Sequence, residues 1–295
     1  MFFDSHAHIN NYDMTPEMVD AVVSAIESSK VDYVADIGFD LQSSKLAVDH
    51  AAEYPWCYAV VGCHPHDVKD MDDMQLVLFK GMAAKKKVMA IGEIGLDFHY
   101  DNSPRDLQRE WFRKQIRLAN ELKMPIVIHS READQEVMDI LKEEGAFSEE
   151  RKSWFPKRPD PTGYAGGKKA KGGAGCGDGA MGGSAEDARV LLHCFSGSAE
   201  LGAQYVKLGA TLSIAGPVTY KNNRKTQAVV REIPMDFLLV ETDSPFLTPE
   251  PFRGKRNTPL MVEHTAKKVA EIKELPVETV AEITKANAMR FYGIN

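Results

Sequence analysis

The feature that most constrains this chain is an end-to-end alternation of short, β-branched apolar runs with longer stretches that have helical apolar spacing. This alternation predicts parallel strands joined by helices. The predicted strands are Phe2–Ile9, Asp32–Gly38, Trp56–Gly62, Val88–Ile94, Pro125–His129, Val190–Phe195, Thr211–Ala215 and Phe237–Thr242. The predicted helices include Thr15–Ser29, Leu41–Glu53, Arg105–Lys123, Glu132–Glu144, Ala199–Leu208 and Thr258–Ile272. Thr15 followed by Pro16 is typical of a helix N-cap with a first-turn proline.

Eight strands with intervening helices predict a closed (β/α)8 TIM barrel, a fold that needs about 250 residues. The chain has 295 residues, so we interpret 1–295 as a single barrel domain. The competing fold is a doubly wound open sheet. No glycine-rich phosphate loop follows the first strand, and this favours the barrel.

One connection departs from the repeat. Residues Gly145–Ala188 form an insertion in which Gly163–Gly183 holds ten glycines and Arg151–Lys171 holds seven basic residues against one acidic residue. Such a composition buries too little apolar surface to offset the entropy of ordering. We therefore predict a flexible surface insertion beside the mouth of the barrel.

Composition narrows the class of protein. No apolar run is long enough for a membrane span, no signal-peptide pattern opens the sequence, and the four cysteines have no paired spacing. These features predict a soluble, cytoplasmic protein with reduced thiols. The net charge of −7 argues against broad attraction to nucleic acid, although a local basic groove remains compatible with it.

His6 and His8 are the first candidate site residues. They lie near the end of the first strand, where side chains at i and i+2 share a face, so both imidazoles point the same way. The alternative is a pair of polar residues on an exposed edge. At the carboxyl end of a barrel strand, the shared direction is into the mouth.

Other potential ligands follow four further strands. They are Glu93, His129, His193 and Asp243. Individually, a buried histidine often only bonds to backbone, and an acid after a strand often only caps a helix. Barrel strands, however, converge at their carboxyl ends, which predicts one shared pocket. Four imidazoles and two carboxylates suit one or two divalent ions, with nitrogen favouring Zn, Mn or Co and oxygen accommodating Mg.

The motifs around these residues resemble the TatD family of metal-dependent deoxyribonucleases. They are Asp4-Ser5-His6-Ala7-His8, Gly62-Cys63-His64-Pro65-His66, Ile91-Gly92-Glu93-Ile94-Gly95-Leu96-Asp97, His193-Cys194-Phe195-Ser196-Gly197, Glu241-Thr242-Asp243-Ser244-Pro245-Phe246-Leu247 and Arg253-Gly254-Lys255-Arg256-Asn257. The resemblance spans residues 4 to 257 and implies a TIM barrel, a divalent-metal site and hydrolysis of DNA, commonly by an exonuclease preferring single strands. The insertion departs from the compact family pattern. Its basic part is predicted to help hold longer DNA, against the alternative of a tolerated surface insertion with no role.

We assign the ligands to two divalent ions, Mg²⁺ foremost, with Mn²⁺ or Zn²⁺ as alternatives. His6, His8 and Asp243 hold one ion, His129 and His193 hold the other, and Glu93 bridges them. Asp243 also accepts the proton of the attacking water as general base.

Four further residues are predicted to meet the substrate. His64 contacts a phosphate oxygen or protonates the leaving group, against the alternative of a plain loop histidine. Arg131, Arg253 and Arg256 neutralise phosphates, against the alternative of ordinary surface charge.

Two other functions compete with DNA hydrolysis. An amidohydrolase acting on a cyclic amide or lactone would use the same metal site, but it would not need the Arg253–Asn257 cluster. A non-hydrolytic scaffold would be expected to lack at least one ligand. No membrane contact and no obligate protein partner is predicted; the expected partner is single-stranded DNA.

Overall fold

The strands of this chain pair in sequence order, each parallel to the next, from the first to the eighth. A computed structural model describes residues 1–158 and 185–294. An isolated parallel bridge between Ala7 and Ser244 joins the last strand region to the first. Ser5 Oγ also donates to Val240 O at 3.0 Å across the same gap. The predicted TIM barrel is therefore confirmed.

Strands and helices alternate around this barrel. The strands are β1 (Phe2–Ala7), β2 (Val31–Ile37), β3 (Cys57–Val61), β4 (Val88–Asp97), β5 (Ile126–Arg131), β6 (Val190–Leu192), β7 (Thr211–Ile214) and β8 (Leu238–Val240). The helices within the described residues are α1 (Pro16–Glu27), α2 (Leu41–Glu53), α3 (Asp73–Ala83), α4 (Arg105–Leu122), α5 (Asp134–Glu143), α6 (Glu149–Ser153), α7 (Ala199–Lys207), α8 (Arg224–Glu232), α9 (Val262–Lys273) and α10 (Val277–Tyr292).

The apolar core has an inner and an outer part. The inner cluster gathers strand residues such as Phe3, Val60 and Val127 together with residues of α10, while the outer cluster lies between strands and surrounding helices. Tyr292 stacks on Phe3, with ring centroids 5.8 Å apart. Helix α10 therefore closes the end of the barrel where the strands begin, which leaves the opposite end open for a site.

The predicted elements agree with the structure except at their ends. Thr15 caps α1 by accepting from Met18 N at 3.3 Å, as its pattern predicts. Strand β4 continues to Asp97, beyond its predicted end at Ile94, whereas β6 and β8 are shorter than predicted. Among the residues that the structure describes, none of the helices has the length and apolarity that a membrane span requires.

The predicted placement of the basic insertion is wrong for Arg151. This residue lies in α6, is fully buried, and donates to Ala188 O at 2.9 Å and Met124 O at 2.8 Å. Both carbonyls precede a strand, so Arg151 lies at the end of the barrel opposite the mouth. The connection runs from a helix to β6, and such connections enter a barrel where its strands begin.

Arg158 is also buried at that end. Its guanidinium donates to the carbonyls of Gly209 and Ala210, both at 3.1 Å, just before β7 begins. Lys152 and Lys157 form ion pairs with Glu149 and Glu186. Their expected contact with DNA is not supported by these positions. The glycine-rich part, Gly163–Gly183, lies outside the described residues, as do Lys168, Lys169 and Lys171.

Candidate metal centre

Glu93 lies at the centre of the predicted ligand set. Its Oε1 is 2.8 Å from His129 Nδ1 and 2.7 Å from His193 Nε2. Its Oε2 is 3.4 Å from His6 Nε2 and 3.9 Å from His8 Nε2. The two oxygens of one carboxylate therefore face two separate pairs of imidazoles, the division predicted for a bridging ligand.

Asp243 joins the pair formed by His6 and His8. Its Oδ1 lies 3.4 Å from His8 Nε2 and 3.8 Å from His6 Nε2. Its backbone has φ 54°, in the left-handed region that a residue with a side chain seldom adopts. A hydrogen bond from Asp243 N to His6 O, 2.9 Å long, holds this conformation and fixes the carboxylate beside the two histidines.

In two of the imidazoles, the ring nitrogen that points away from Glu93, here called the outer nitrogen, faces a hydrogen-bond acceptor. His8 Nδ1 is 2.8 Å from Ile37 O, and His129 Nε2 is 3.1 Å from Asp97 Oδ2. A carbonyl only accepts, so a neutral His8 carries its hydrogen on Nδ1. Both nitrogens of His129 face carboxylates, and a metal bound on the Glu93 side would leave the hydrogen on Nε2, facing Asp97. The inner nitrogen then presents a lone pair toward Glu93, as metal ligation requires.

His193 and His6 complete the four imidazoles. His193 Nδ1 lies 3.4 Å from Glu241 Oε1 without a hydrogen bond to it, while Nε2 faces Glu93. The ring of His6 stacks on that of His193 with centroids 3.9 Å apart, and His6 Nδ1 has no hydrogen-bond partner among the described residues. The stacking, rather than an acceptor, holds the His6 ring.

In His64, by contrast, the ring nitrogen nearer to Glu93 is the one that carries hydrogen. The backbone N–H of His66 donates to His64 Nδ1 at 3.1 Å, so this nitrogen is an acceptor. A neutral His64 therefore carries its hydrogen on Nε2, which lies 3.5 Å from Glu93 Oε1. Although His64, Glu93 and His129 lie close enough to hold an ion together, this tautomer makes His64 a hydrogen-bond donor rather than a ligand.

The pKa values of the central groups are coupled by burial and charge. Burial raises the pKa of Glu93, but its interactions with the surrounding imidazoles, His193 foremost, outweigh it and hold that pKa well below its usual range. Burial lowers the pKa of His193, but Glu93 outweighs it and raises that pKa well above normal. Burial, followed by His129, lowers the pKa of His64 well below normal. The carboxylate is thus held ionised.

In the pair His6 and His8, burial and the neighbouring carboxylates again shift the pKa values in opposite directions. Burial lowers the pKa of His6, and His193 lowers it further. The pKa of His8 is raised because Asp243 and Glu93 outweigh the effect of burial. Burial raises the pKa of Asp243, but the bond with His8 and the nearby imidazoles lower it overall. Asp243 is therefore a carboxylate that can accept a proton.

Asp97, His66 and Glu241 belong to the site, but the residue-based prediction gave them no role. Asp97 Oδ2 faces both His129 Nε2 and His66 Nε2, the latter at 2.9 Å. Glu241 is fully buried, and its Oε1 accepts from Cys194 N at 2.7 Å. All three residues lie within the motifs that resemble the family. Those motifs are the sequence signal that could have identified them as site residues.

A cavity of about 680 Å³ opens over the ligands, within the usual range for small-molecule sites. Of the predicted arginines, Arg131 lines it. Arg253 lies over the Tyr220 ring, 4.6 Å from its centroid, and Arg256 lines a smaller neighbouring pocket beside His8. Their phosphate contacts remain predictions, with Arg131 nearest the ligands.

The donor set fits divalent metal. His6, His8 and Glu93 form one group whose ligand atoms lie within 4.8 Å of one another. On the other side, His129 and His193 lie 2.8 and 2.7 Å from Glu93 Oε1. Imidazole nitrogen and carboxylate oxygen together suit Zn, Mn or Mg. His8 is bound to Ile37 O through Nδ1 and His129 to Asp97 through Nε2, so each ring can present its other nitrogen to a metal.

Three sequence comparisons find similar proteins. A family model described as TatD-related DNase matches residues 3–293. The metal-dependent hydrolase YabD of Bacillus subtilis (strain 168) is 42% identical over 297 residues, covering 100% of both chains. The metal-dependent hydrolase TatD of Mycobacterium tuberculosis is 31% identical over 298 residues, covering 99% of this chain and 97% of the relative.

A solved structure shows the same fold. The crystal structure of YJJV, a TatD homologue from Escherichia coli K12, superposes with a TM-score of 0.79 at 22% identity. The match covers 100% of this chain and 98% of the other. Likeness at this identity concerns the barrel alone.

Proposed function

Because this chain belongs to the TatD-related DNase family and is a metal-dependent hydrolase, we propose that it hydrolyses phosphodiester bonds of DNA as an exonuclease preferring single strands. The observation that carries the proposal is the division of the Glu93 carboxylate between His129 and His193 on one oxygen and His6 and His8 on the other. Such a division suits two ions, the arrangement that favours phosphodiester cleavage.

The chain's own residues would hold these ions in two groups bridged by Glu93. His6, His8 and Asp243 form the first group, and His129 and His193 the second. When bound, paired divalent ions lower the pKa of a water and offset charge on phosphate oxygens. We expect Mg²⁺, with Mn²⁺ or Zn²⁺ as substitutes.

Asp243 is the residue best placed to accept a proton. Its carboxylate faces the cavity, and the bonds that fix it come from its own backbone and from His8. As the attacking water forms its bond to phosphorus, its proton passes to Asp243. The bond from phosphorus to the leaving oxygen then breaks, and that oxygen takes up a proton from water, which releases the terminal nucleotide.

His64 and Arg131 would bind the phosphate. The tautomer fixed by His66 N directs the Nε2–H of His64 toward the cavity, so it donates to a non-bridging phosphate oxygen. Arg131 lines the same cavity and supplies a positive charge. Arg253 and Arg256 would contact phosphates further along the strand, where exposed charge steers and positions nucleic acid.

Substrate class is tested with end-labelled single-stranded DNA, the matching duplex, and a cyclic lactone and amide, each with the metal-loaded protein. We expect nucleotides released one at a time from the single strand, slower cleavage of the duplex and no turnover of the lactone or amide. Release of internal fragments would contradict exonuclease action. Turnover of the lactone or amide without DNA cleavage would replace the proposal with an amidohydrolase.

A further inference from the structure

We propose that Phe246 and Tyr100 are nucleobase platforms, on which bases of a single strand stack at opposite sides of the metal cavity. This inference rests on the proposed function and names the part of the substrate that the site would recognise. Both rings line the cavity, and both are unusually exposed for apolar side chains, at 51% and 53%.

Phe246 is held rigidly in this exposed position. Its N donates to Asp243 O at 2.9 Å, and its O accepts from Asn257 Nδ2 at 2.6 Å. Asn257 is itself buried and also donates to Thr242 O at 2.9 Å. These bonds fix the loop backbone that presents the ring to solvent, although burying a phenylalanine would gain about 1.5–3 kcal/mol.

The position of Phe246 relates it to the reacting centre. Its ring meets His8 edge-on, with centroids 6.3 Å apart. One edge of the ring is thus next to a metal ligand, while the rest of the ring faces solvent. A base stacked there belongs to a nucleotide at the scissile bond.

Tyr100, on the opposite side of the cavity, is likewise held by a backbone hydrogen bond and lies against a histidine ring. Its N donates to Asp97 Oδ1 at 2.9 Å, and its ring lies perpendicular to that of His66 with centroids 5.4 Å apart. The guanidinium of Arg131 lies over the ring, 4.6 Å from its centroid. A stacked Arg–Tyr pair offers both a flat surface and a positive charge, the combination that single-strand binding sites use.

The two rings lie across the mouth from one another. Tyr100 follows β4 and Phe246 follows β8, and these strands are opposite in a barrel of eight strands paired in order. A chain stacked on both rings passes over Glu93 between them. Because every base has a π face, such platforms accept any sequence. They also favour single strands, whose bases are free to leave their neighbours.

The test compares a thymidine oligonucleotide with an abasic oligonucleotide of equal length and charge. The KM of the first and the inhibition constant of the second give the discrimination in favour of bases. We expect Phe246→Leu and Tyr100→Leu each to lower this discrimination roughly 5- to 150-fold. Leu78→Ala, which removes an exposed apolar side chain of α3 outside the cavity, is the control and should preserve it.

The outcomes separate this inference from the proposed function. If the parent cleaves the thymidine oligonucleotide and neither leucine variant changes the discrimination, the platforms do not exist, although DNA hydrolysis stands. If the parent neither binds nor cleaves it, both ideas are wrong. Each variant should unfold at the same midpoint temperature as the parent. An unchanged midpoint shows that lower discrimination reflects lost contact with the base rather than misfolding.

Discussion

Asp97 Oδ2 lies 3.1 Å from His129 Nε2, while the other nitrogen of the same ring lies 2.8 Å from Glu93 Oε1. Both nitrogens of His129 thus face a carboxylate, and when a metal occupies the Glu93 side, Asp97 would accept the hydrogen on the other nitrogen. The carboxylate is buried, yet its pKa is lowered overall because the hydrogen bonds from His129, Tyr100 N and His66 outweigh the effect of burial. Asp97 therefore stays ionised, and its negative charge lies beside the nitrogen of His129 that points away from Glu93.

Replacing this carboxylate by an amide tests its positioning role. Asp97→Asn removes the charge, and whichever way the amide is turned, one side of it loses an oxygen acceptor. We expect the affinity for one of two bound ions to fall roughly 10- to 100-fold, measured by calorimetric titration of the metal-free protein. Asp101→Asn, which alters an exposed carboxylate paired with Arg105, is the matched control. Equal metal affinity in both variants would leave Asp97 a merely structural residue.

Asp243→Asn tests the proton acceptor while preserving shape. An amide cannot take the proton of the attacking water, and it is a weaker metal ligand than a carboxylate. We expect turnover of single-stranded DNA to fall by at least about 100-fold, the lower end of a general base's contribution, while the far-ultraviolet circular dichroism stays that of the parent. Near-native turnover would show that another group accepts the proton.

The metal ligands could be predicted from sequence because two simple rules apply to them. Side chains at i and i+2 share a strand face, as His6 and His8 do, and strand ends converge in a barrel. Asp97 escaped these rules because β4 runs past the predicted end at Ile94 and its pairing with β5 shifts between Ile91 and Ile94. Counting from Glu93 therefore placed Asp97 in a loop.

The buried arginines could not be predicted for a different reason. Arg151 and Arg158 satisfy their guanidinium groups largely on backbone carbonyls, which every residue possesses, and those carbonyls are distant in sequence. Composition alone made these residues look like part of a flexible basic segment. The glycine pattern that carried that prediction falls within Gly163–Gly183, outside the described residues.

Arg151→Ala should destabilise the protein without changing how it binds the substrate. Removing the guanidinium leaves the carbonyls of Ala188 and Met124 and the side chain of Asn120 without their donor. We expect the free energy of unfolding to fall by about 2–4 kcal/mol in urea denaturation. The KM for single-stranded DNA should not change, because α6 lies at the far end of the barrel. The neighbouring Lys152→Ala should cost less than about 1 kcal/mol; a raised KM in Arg151→Ala with intact stability would contradict this assignment.

Lys273 gives the stability a distinct pH dependence. The side chain is 1% exposed and donates to Ile233 O at 2.6 Å, and burial lowers its pKa to about 8. Between this value and the unfolded pKa of about 10.4, the unfolded chain binds a proton that the folded chain does not, so the contribution of Lys273 to stability rises with pH.

Lys273→Met removes this contribution. From below pH 8 to above pH 10, the parent's free energy of unfolding should rise by about 3 kcal/mol relative to that of the variant. Urea denaturation of both proteins across this window measures the difference and cancels the titration of other groups. A difference that does not vary with pH would show that Lys273 has an ordinary pKa in the folded protein.

The most direct measurement of the central claim is the release of nucleotides from labelled single-stranded DNA by metal-stripped protein as divalent ions are added back. We predict no release in excess chelator and recovery with Mg²⁺ or Mn²⁺, reaching its plateau when two ions are bound per chain. Glu93→Gln should fail to recover at the same ion concentration, because its side chain no longer bridges the two groups with a charge. Undiminished release in excess chelator would contradict the account.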